Sequence, residues 1–187
     1  MAEITDVELL ARYAAGERDF QGVILSGIRW GCPSGGTVNL EGANFTGAIF
    51  KQIICAPPYR TNNAAIGGQF LNCNFSHSQW EFCAMPKLVG CNLQYAVMRG
   101  CRYRANLIDC DWRYGQIIGA NINGVIFERC DLSGGEWNFD APTIESGEDA
   151  GRGAYFSSHY VDTINIDGVF HSGIYCSLPI PGYEVPF

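Results

Sequence analysis

The chain has 187 residues, of which 17% are charged and 47% are hydrophobic, and 23 residues are glycine. This length suffices for one domain with a sizeable core, and low charge with abundant glycine favours turns and short strands. No apolar run is long enough to cross a membrane, and the first twenty residues lack the apolar segment of a secretory signal. We therefore expect one cytoplasmic domain that does not bind membranes.

The net charge of −7 is concentrated at the end of the chain. From Glu128 to Phe187 there are ten acidic and two basic residues, a balance of −8, whereas the preceding part has nine acidic and ten basic residues, a balance of +1. This asymmetry indicates either a solvated acidic surface or a surface that meets a partner. The acidic balance argues against direct binding of nucleic acid.

The first predicted element is a short helix that ends near Gly16. Thr5, followed three residues later by Glu8, matches a capping box. An apolar stripe at helical spacing is formed by Val7, Leu10, Ala11 and Ala14. We expect residues 1–17 to form a helical cap that plugs the first turn of the structure that follows.

After the cap, large apolar residues recur every five residues, a period that fits neither a helix nor a flat strand. A small apolar residue lies two positions before each large one, so both can face inward in extended chain. Asn or Asp between them, and Gly, Ser or Thr after them, fit a tight turn. The predicted core centres include Trp30, Phe50, Phe70, Phe75, Trp80, Leu93, Leu107, Trp112, Phe127 and Leu132. The phase slips twice, at the segment CAMPKL and near Arg104.

Units such as ANFTG, CNFSH, ANLID, ANING and CDLSG resemble those of the pentapeptide-repeat family, as does the opening ELLARYAAGERDFQGVILSG. The resemblance runs from about Val7 to Ile174. It implies an all-β fold, a right-handed quadrilateral parallel β-helix over residues 18–176, with four units per turn. Residues about twenty apart would then stack, with turns ~4.8 Å apart as in paired strands. A Pro-rich tail, residues 177–187, would follow.

Four units per turn assign the apolar centres to ladders. One is expected to contain Trp30, Phe50 and Phe70 and, allowing for the slips, to continue through Leu88, Leu107 and Phe127. Another is expected to contain Trp80, Met98, Ile117 and Trp137. Because the stacked side chains are large, we expect a filled interior without a ligand cavity.

Three segments interrupt the repeat, at residues 31–37, 55–68 and 140–153. The second is expected to replace units without shifting the phase, because Phe50 and Phe70 remain twenty residues apart. The third is a candidate partner surface, since repeat proteins often carry insertions on their binding face. Its acidic residues are Asp140, Glu145, Glu148 and Asp149. The alternative is a tolerated loop without a task.

Nine cysteines in a chain without a secretory signal are expected to be reduced. Six occupy the small inward position, which predicts one column of Cys73, Cys91, Cys110 and Cys130 and another of Cys83 and Cys101. Stacked neighbours ~4.8 Å apart fall within the Cα range of disulfides, but parallel side chains would strain the bond. There is no CxxC pair to converge on a metal. We expect the thiols to replace alanine as small hydrophobes.

We find no motif for catalysis or cofactor binding. GxSxG, P-loop, GxGxxG and HExxH motifs are missing from the sequence. The histidines His77, His159 and His171 are scattered, and Asp109 and Asp111 should point outward. The sequence therefore predicts a protein that is not an enzyme, with no catalytic residue, no cofactor and no metal site.

Two functional hypotheses remain. The first is a rigid scaffold or protein-binding module, with contacts supplied by the acidic segment, the tail and exposed residues. Those exposed residues are Tyr59, Arg60, Arg99 and Arg104. In both hypotheses the partner is another protein, and a homodimer is a further option.

The second hypothesis follows from the resemblance. Some pentapeptide-repeat proteins resemble B-form DNA in width and charge and bind DNA gyrase or topoisomerase IV, which they inhibit or protect. The −8 balance of the last third fits such a mimic. The basic stretch from Lys87 to Arg113, and a tail without an apolar helical end for dimerisation, argue against it.

Overall fold

The computed structural model describes residues 1–30, 38–54, 68–84, 86–101, 106–119, 125–138, 159–164, 168 and 170–175. Within them the chain forms one helix, α1 (Asp6–Ala14), followed by short strands. The strands are β1 (Ile24–Ser26), β2 (Val38–Glu41), β3 (Ile49–Lys51), β4 (Gly68–Leu71), β5 (Gln79–Glu81), β6 (Lys87–Val89), β7 (Val97–Arg99), β8 (Leu107–Ile108), β9 (Gln116–Ile118), β10 (Ile126–Glu128), β11 (Glu136–Asn138), β12 (His159–Ile164) and β13 (Phe170–Tyr175). In these parts of the chain, no helix is long and apolar enough to span a bilayer.

The strands build two sheets that the chain visits alternately. The six-stranded sheet has the order β1-β3-β5-β7-β9-β11, and the seven-stranded sheet has the order β13-β12-β10-β8-β6-β4-β2. All pairings are parallel except that of β12 with β13, which is antiparallel. Each turn of the chain therefore adds one strand to each sheet, as in a parallel β-helix.

Two columns of single parallel bridges lie between the sheets and complete a four-sided coil. One column, here called the Asx column, consists of Asp19, Asn44, Asn74, Asn92, Asp111 and Asp131. The other, the fourth side, links Arg29, Ile54 and Ala84. Along the chain, each coil runs from the Asx column to the six-stranded sheet, then to the fourth side and the seven-stranded sheet. The fold is a pentapeptide-repeat β-helix.

The Asx column explains why Asn and Asp occupy the position between the two inward side chains. The Oδ1 atom of Asn92 accepts the backbone N–H of Gln94 at 3.0 Å, and Asn74 accepts that of Ser76 at 3.1 Å. The same bond joins Asp131 to the N–H of Ser133 at 3.0 Å. A side chain that bonds the backbone two residues later fixes a turn, so each coil bends at this column.

The interior is filled with side chains, as the repeat predicts. Phe50 and Trp80 stack with ring centroids 3.9 Å apart, and Phe45 and Phe75 stack at 5.2 Å. All ten predicted core centres are at most 2% exposed. They are Trp30, Phe50, Phe70, Phe75, Trp80, Leu93, Leu107, Trp112, Phe127 and Leu132. Burial of this apolar surface is the main favourable contribution to folding.

The strand register corrects the ladder expected for Trp30, Phe50 and Phe70. Phe50 pairs with Leu25 and Trp80 in the six-stranded sheet. Phe70 belongs to the seven-stranded sheet, where it pairs with Leu40 and Leu88, and Trp30 directly follows Arg29 of the fourth side. The three residues therefore lie on three different sides of the coil.

The later parts of both expected ladders are confirmed. In the seven-stranded sheet the register runs Phe70, Leu88, Leu107 and Phe127. In the six-stranded sheet it runs Trp80, Met98, Ile117 and Trp137. The two slips in phase are thus compatible with continuous stacking.

Unequal coil lengths are the reason for the wrong ladder. Going from one centre of the six-stranded sheet to the next takes 25 residues for Leu25 to Phe50 and 30 for Phe50 to Trp80. It then takes 18, 19 and 20 residues through Met98, Ile117 and Trp137. Residues 31–37 and 55–68 thus belong to coils longer than twenty residues. The expectation that the second segment only replaces units is wrong.

In the three coils whose fourth side is described, all the variation in length falls at one corner, between the fourth side and the seven-stranded sheet. The step from Arg29 to Leu40 is eleven residues, that from Ile54 to Phe70 is sixteen, and that from Ala84 to Leu88 is four. We call this edge the variable corner. At the other three corners the spacings that the described residues give are constant; for example, each member of the Asx column precedes the next six-stranded centre by six residues.

The helix α1 lies on the first coils through one apolar residue and one tyrosine. Thr5 caps it by accepting the N–H of Glu8 at 3.1 Å. Leu9 is fully buried, and the Tyr13 hydroxyl accepts the Glu41 N–H at 2.9 Å and donates to the Glu41 carbonyl at 3.2 Å. The apolar stripe identified in the sequence is on the exposed side: Val7 is 73% exposed, Leu10 38%, and Ala11 and Ala14 are also exposed.

Candidate interaction surface

Six cysteines form two buried columns inside the coils, and all six are reduced. The first column contains Cys73, Cys91, Cys110 and Cys130, and the second contains Cys83 and Cys101. Each thiol donates to a carbonyl of the preceding coil; Cys91 bonds Phe70 at 3.4 Å and Cys101 bonds Trp80 at 3.4 Å. The thiol is therefore a small hydrophobic group that also satisfies a backbone acceptor.

The neutral form is favoured for three thiols of the first column, Cys73, Cys91 and Cys110. A hydrogen bond from the neighbouring thiol and burial together raise the pKa of Cys73. The same causes, with Cys110 and Cys130 as the respective neighbours, raise the pKa of Cys91 and that of Cys110 to about 12 each. Only thiolates act as nucleophiles or bind metals, so these three thiols are poor nucleophiles near neutral pH. In the second column the hydrogen bond between the two thiols raises the pKa of Cys101 and lowers that of Cys83.

The two arginines near the last coils each form ion pairs with neighbouring carboxylates. Arg129 binds the carboxylates of Asp109, at 2.6 and 2.9 Å, and of Glu128. Arg113 binds Asp111 at 2.7 Å and lies 3.9 Å from Asp131. These pairs line an open groove of about 720 Å³. The Arg129 guanidinium holds the pKa of Asp109 below its usual range. Burial raises the pKa of Asp111, but the hydrogen bonds from Arg113 and Gln94 outweigh burial and hold that pKa below its usual range. Among the described residues, no group of three or more acids, His and Cys is arranged to hold a metal ion.

A column of stacked aromatic rings stands on the outside of the coil, between the Asx column and the six-stranded sheet. The ring of His77 stacks on that of Tyr95 with centroids 4.9 Å apart, and Tyr95 stacks on Tyr114 at 5.2 Å. Tyr95 is 46% exposed and Tyr114 53%. We call these three side chains the aromatic ridge. Contiguous exposed apolar groups are more informative about interaction sites than single exposed rings.

The backbone at the ridge explains how it projects. His77, Tyr95 and Tyr114 have φ values of 59°, 58° and 57°, in the left-handed region that favours glycine. The equivalent position of the next coil is Gly134, where an added Cβ would lie 2.6 Å from the Tyr114 ring. The stack therefore leans toward the later coils and ends on a residue without a side chain.

A second exposed aromatic residue lies across the six-stranded sheet from the ridge. Phe82 is 68% exposed and directly follows β5, at the corner leading to the fourth side. Between it and the ridge, the outward positions of β7 and β9 carry Val97 and Ile118, both partly exposed. The outer face of β5, β7 and β9 therefore carries Val97 and Ile118 among polar residues such as Arg99, with Phe82 at one edge and the aromatic ridge at the other.

Most of the contact residues proposed from the sequence lie outside the described residues. This holds for Asp140, Glu145, Glu148, Asp149, Tyr59, Arg60 and Arg104, and for the tail. Arg99 is described and exposed, at the end of β7. The sequence analysis missed the ridge, although His77, Tyr95 and Tyr114 each follow a core centre by two residues.

Comparison with known proteins gives structural likenesses at low identity. The pentapeptide repeat protein HetL, involved in heterocyst differentiation regulation in the cyanobacterium Nostoc sp. strain PCC 7120, is 13% identical; the match covers 90% of this chain and 100% of that chain, with a TM-score of 0.23. Full-length QnrB1, a plasmid-mediated fluoroquinolone resistance protein, is 17% identical over 87% and 78%, with a TM-score of 0.29. The pentapeptide repeat protein Rfr23 from the cyanobacterium Cyanothece 51142 is 21% identical over 69% and 92%, with a TM-score of 0.29.

No protein-family profile and no curated protein sequence matches the chain. The architecture is established by the chain itself, through the five-residue repeat and the four-sided parallel coil.

Proposed function

We propose that this pentapeptide-repeat β-helix is a non-catalytic protein-binding scaffold, and that its contact surface is the aromatic ridge with the adjoining face of β5, β7 and β9. The carrying observation is the exposed stack of His77, Tyr95 and Tyr114. Tyrosine and phenylalanine are enriched in protein interfaces and often contribute most of the binding energy. Their rings offer large contact areas with hydroxyl or ring edges for hydrogen bonds.

Rigidity supports this proposal. The ridge stands on coils whose interiors are closely packed, and each ring is held by its stacked neighbour, so few rotamers remain to be lost on binding. The backbone beneath is fixed by parallel bonds, such as that from the Tyr95 N–H to the Arg113 carbonyl at 3.1 Å. A surface ordered in advance loses little entropy when a partner binds.

The test is photo-crosslinking in the native cells. A photoreactive phenylalanine at Gln116, beside the ridge on β9, is expected to give a discrete crosslinked species. The double substitution Tyr95→Ser and Tyr114→Ser should reduce the yield at least about tenfold, because each lost anchor costs on the order of 1–2 kcal/mol. The matched control places the same photoreactive residue at Asn39, an outward position of β2 on the seven-stranded sheet.

Loss of the adduct at Gln116 together with an unchanged pattern at Asn39 supports the ridge as the contact surface. An adduct at Gln116 that persists in the double variant contradicts the role of the ridge. A yield at Asn39 that depends on Tyr95 and Tyr114 would instead show a general loss of structure, which the circular dichroism of the purified variant checks.

A second candidate is a DNA mimic that binds a type II topoisomerase, favoured by the −8 balance of the last third of the chain. Against it, Arg113 and Arg129 each pair with two carboxylates, which neutralises part of the acidic surface that a mimic needs. A gyrase supercoiling assay over a protein titration tests it. Inhibition or drug protection at micromolar protein supports the mimic, and their absence removes it.

A further inference from the structure

The helix α1 turns its apolar stripe toward solvent, whereas an ordinary surface helix turns it toward the core. In most surface helices the apolar stripe faces the core and the charged residues face water. Here the guanidinium of Arg12 lies over the Phe20 ring, 5.3 Å from its centroid, and bonds Glu17 at 2.8 Å. Leu9 is the one fully buried residue of the helix.

The outward stripe is apolar and combines large and small side chains, which allows a second helix to pack closely against it. Val7, Leu10, Ala11 and Ala14 recur at spacings of three and four residues, so they align along one side, opposite the buried Leu9. Val7 at 73% and Leu10 at 38% exposure are large, while the two alanines are small. A second helix of the same sequence laid antiparallel would set each large residue against a small one, Val7 against Ala14 and Leu10 against Ala11.

The charges beside the stripe fit the same arrangement. Glu8 and Arg12 lie on one flank of the helix, one turn apart, with 3.5 Å between their charged atoms. A two-fold axis near Leu10 and Ala11 keeps this flank facing its own copy and reverses the helix direction. Glu8 of each copy would then lie opposite Arg12 of the other, and the helix dipoles would run antiparallel. A parallel pair would place like charges together.

We propose that the protein forms a symmetric homodimer through α1, with a second copy of this chain covering the stripe of Val7, Leu10, Ala11 and Ala14. The interface joins the N-terminal ends of two β-helices and leaves the aromatic ridge free. A nine-residue helix pair buries less than the roughly 1,200 Å² of a standard stable interface. The dimer is therefore weak and reversible, with a Kd on the order of 0.1 mM.

Sedimentation equilibrium of the full chain tests the association. The average mass is expected to rise from the monomer value of 20.5 kDa toward twice that value as the concentration approaches about 1 mM. Leu10→Glu and Ala14→Glu should each abolish the rise without loss of fold, because both side chains are exposed. Phe82→Glu is the matched control: it replaces an exposed apolar residue far from α1 and should leave the dimer intact.

Disulfide trapping tests the geometry. Ala11→Cys, close to the two-fold axis, is expected to crosslink with itself under mild oxidant. Val7→Cys should not crosslink with itself, but a mixture of Val7→Cys and Ala14→Cys chains should give a heterodimer. The wild type under the same oxidant corrects for the native thiols. Self-crosslinking of Val7→Cys without the mixed product would indicate parallel helices and overturn the symmetric antiparallel dimer.

Three further outcomes also overturn the proposal. One is a monomeric mass at every concentration. Another is a dimer lost in Phe82→Glu and retained in Leu10→Glu, which would move the interface to the ridge face. The third is binding of α1 to phosphatidylglycerol vesicles without any self-association. Because the ridge crosslink is scored on a different surface, the proposed scaffold function and the dimer can fail separately.

Discussion

At the corner that follows the Asx column, every described coil needs a residue with positive φ. Glycine supplies it in the first two coils and at Gly134, whereas His77, Tyr95 and Tyr114 adopt it between them. A non-glycine residue there costs on the order of 1 kcal/mol. Stacking of two aromatic rings contributes a similar amount, about 0.5–1.5 kcal/mol. The ridge is therefore close to neutral for stability, which is compatible with the contact surface proposed above.

The close contact of the Tyr114 ring with Gly134 can be tested by Gly134→Ala. An added Cβ would lie 2.6 Å from the ring, so the ring must move in addition to the backbone strain at φ +68°. We expect a loss of about 2 kcal/mol in the free energy of unfolding, with an altered near-ultraviolet tyrosine signal. Gly47→Ala is the control, because Gly47 occupies the same corner at φ +66° with nothing within 4 Å of the added Cβ. Equal losses in the free energy of unfolding for the two variants, measured with denaturant, would contradict this contact.

At the scale of the element, the columns inside the coils show what a five-residue unit needs at its small inward position. The residue is apolar and buried, and a thiol there also donates to the coil before it; Cys130, for example, bonds the Leu107 carbonyl at 3.4 Å. Alanine at the same position in other coils, such as Ala43 and Ala96, fills the space without that bond. Stacking of the thiols on one another adds a coupling between coils that alanine lacks.

The thiol columns predict a loss of stability at alkaline pH. The pKa values of Cys91 and Cys110 are raised from 9.0 to about 12 in the folded protein. Between pH 9 and 12 the unfolded chain loses these protons and the folded chain keeps them, so the free energy of unfolding falls as pH rises. Each thiol contributes a slope of up to about 1.4 kcal/mol per pH unit.

The measurement compares urea unfolding of wild type and Cys110→Ala from pH 7 to 11. The variant should be less stable at pH 7 but lose stability less steeply above pH 9. Tyrosine and lysine titrate in the same range, but they are common to both proteins, so the difference in slope reports Cys110 together with its effect on Cys91. Parallel pH profiles would contradict a buried, protonated Cys110.

For the molecule as a whole, the sequence predicts the repeating unit and its buried residues well, but the number of residues in each coil only in part. The period of five and the buried centres follow from apolar spacing, and the later ladders follow from it together with the four units per turn that the family resemblance implies. The ladder through Trp30, Phe50 and Phe70 is wrong because the first two coils exceed twenty residues by five and ten. Additions in multiples of five leave the phase unchanged, so the repeat cannot reveal them. The slips of two and one residues change the phase and are visible.

The surface is less predictable than the core. The apolar stripe of α1 predicts a buried face by the ordinary rule for surface helices, yet it is exposed, since Leu9 and Tyr13 anchor the helix instead. The ridge escapes prediction because an aromatic residue at a turn position has no signature of its own. Only the equal offset of His77, Tyr95 and Tyr114 from successive centres indicates that they stack.

The variable corner predicts where the molecule tolerates added chain. Five extra residues after Ala84, at that corner, should lengthen that coil with a loss of about 1 kcal/mol or less from loop closure, since the first coil already spans 25 residues. The same five residues after Gln94 separate the Asx column from the six-stranded sheet. They would break the bonds from the Ala96 N–H to Leu93 and from the Tyr95 N–H to Arg113. Because these donors serve turns in a tightly packed coil, we expect that insertion to cost at least about 2 kcal/mol more. Denaturant unfolding of the two variants gives the comparison, and equal stability would show that the constant corners owe their spacing to something other than the packing of the coil.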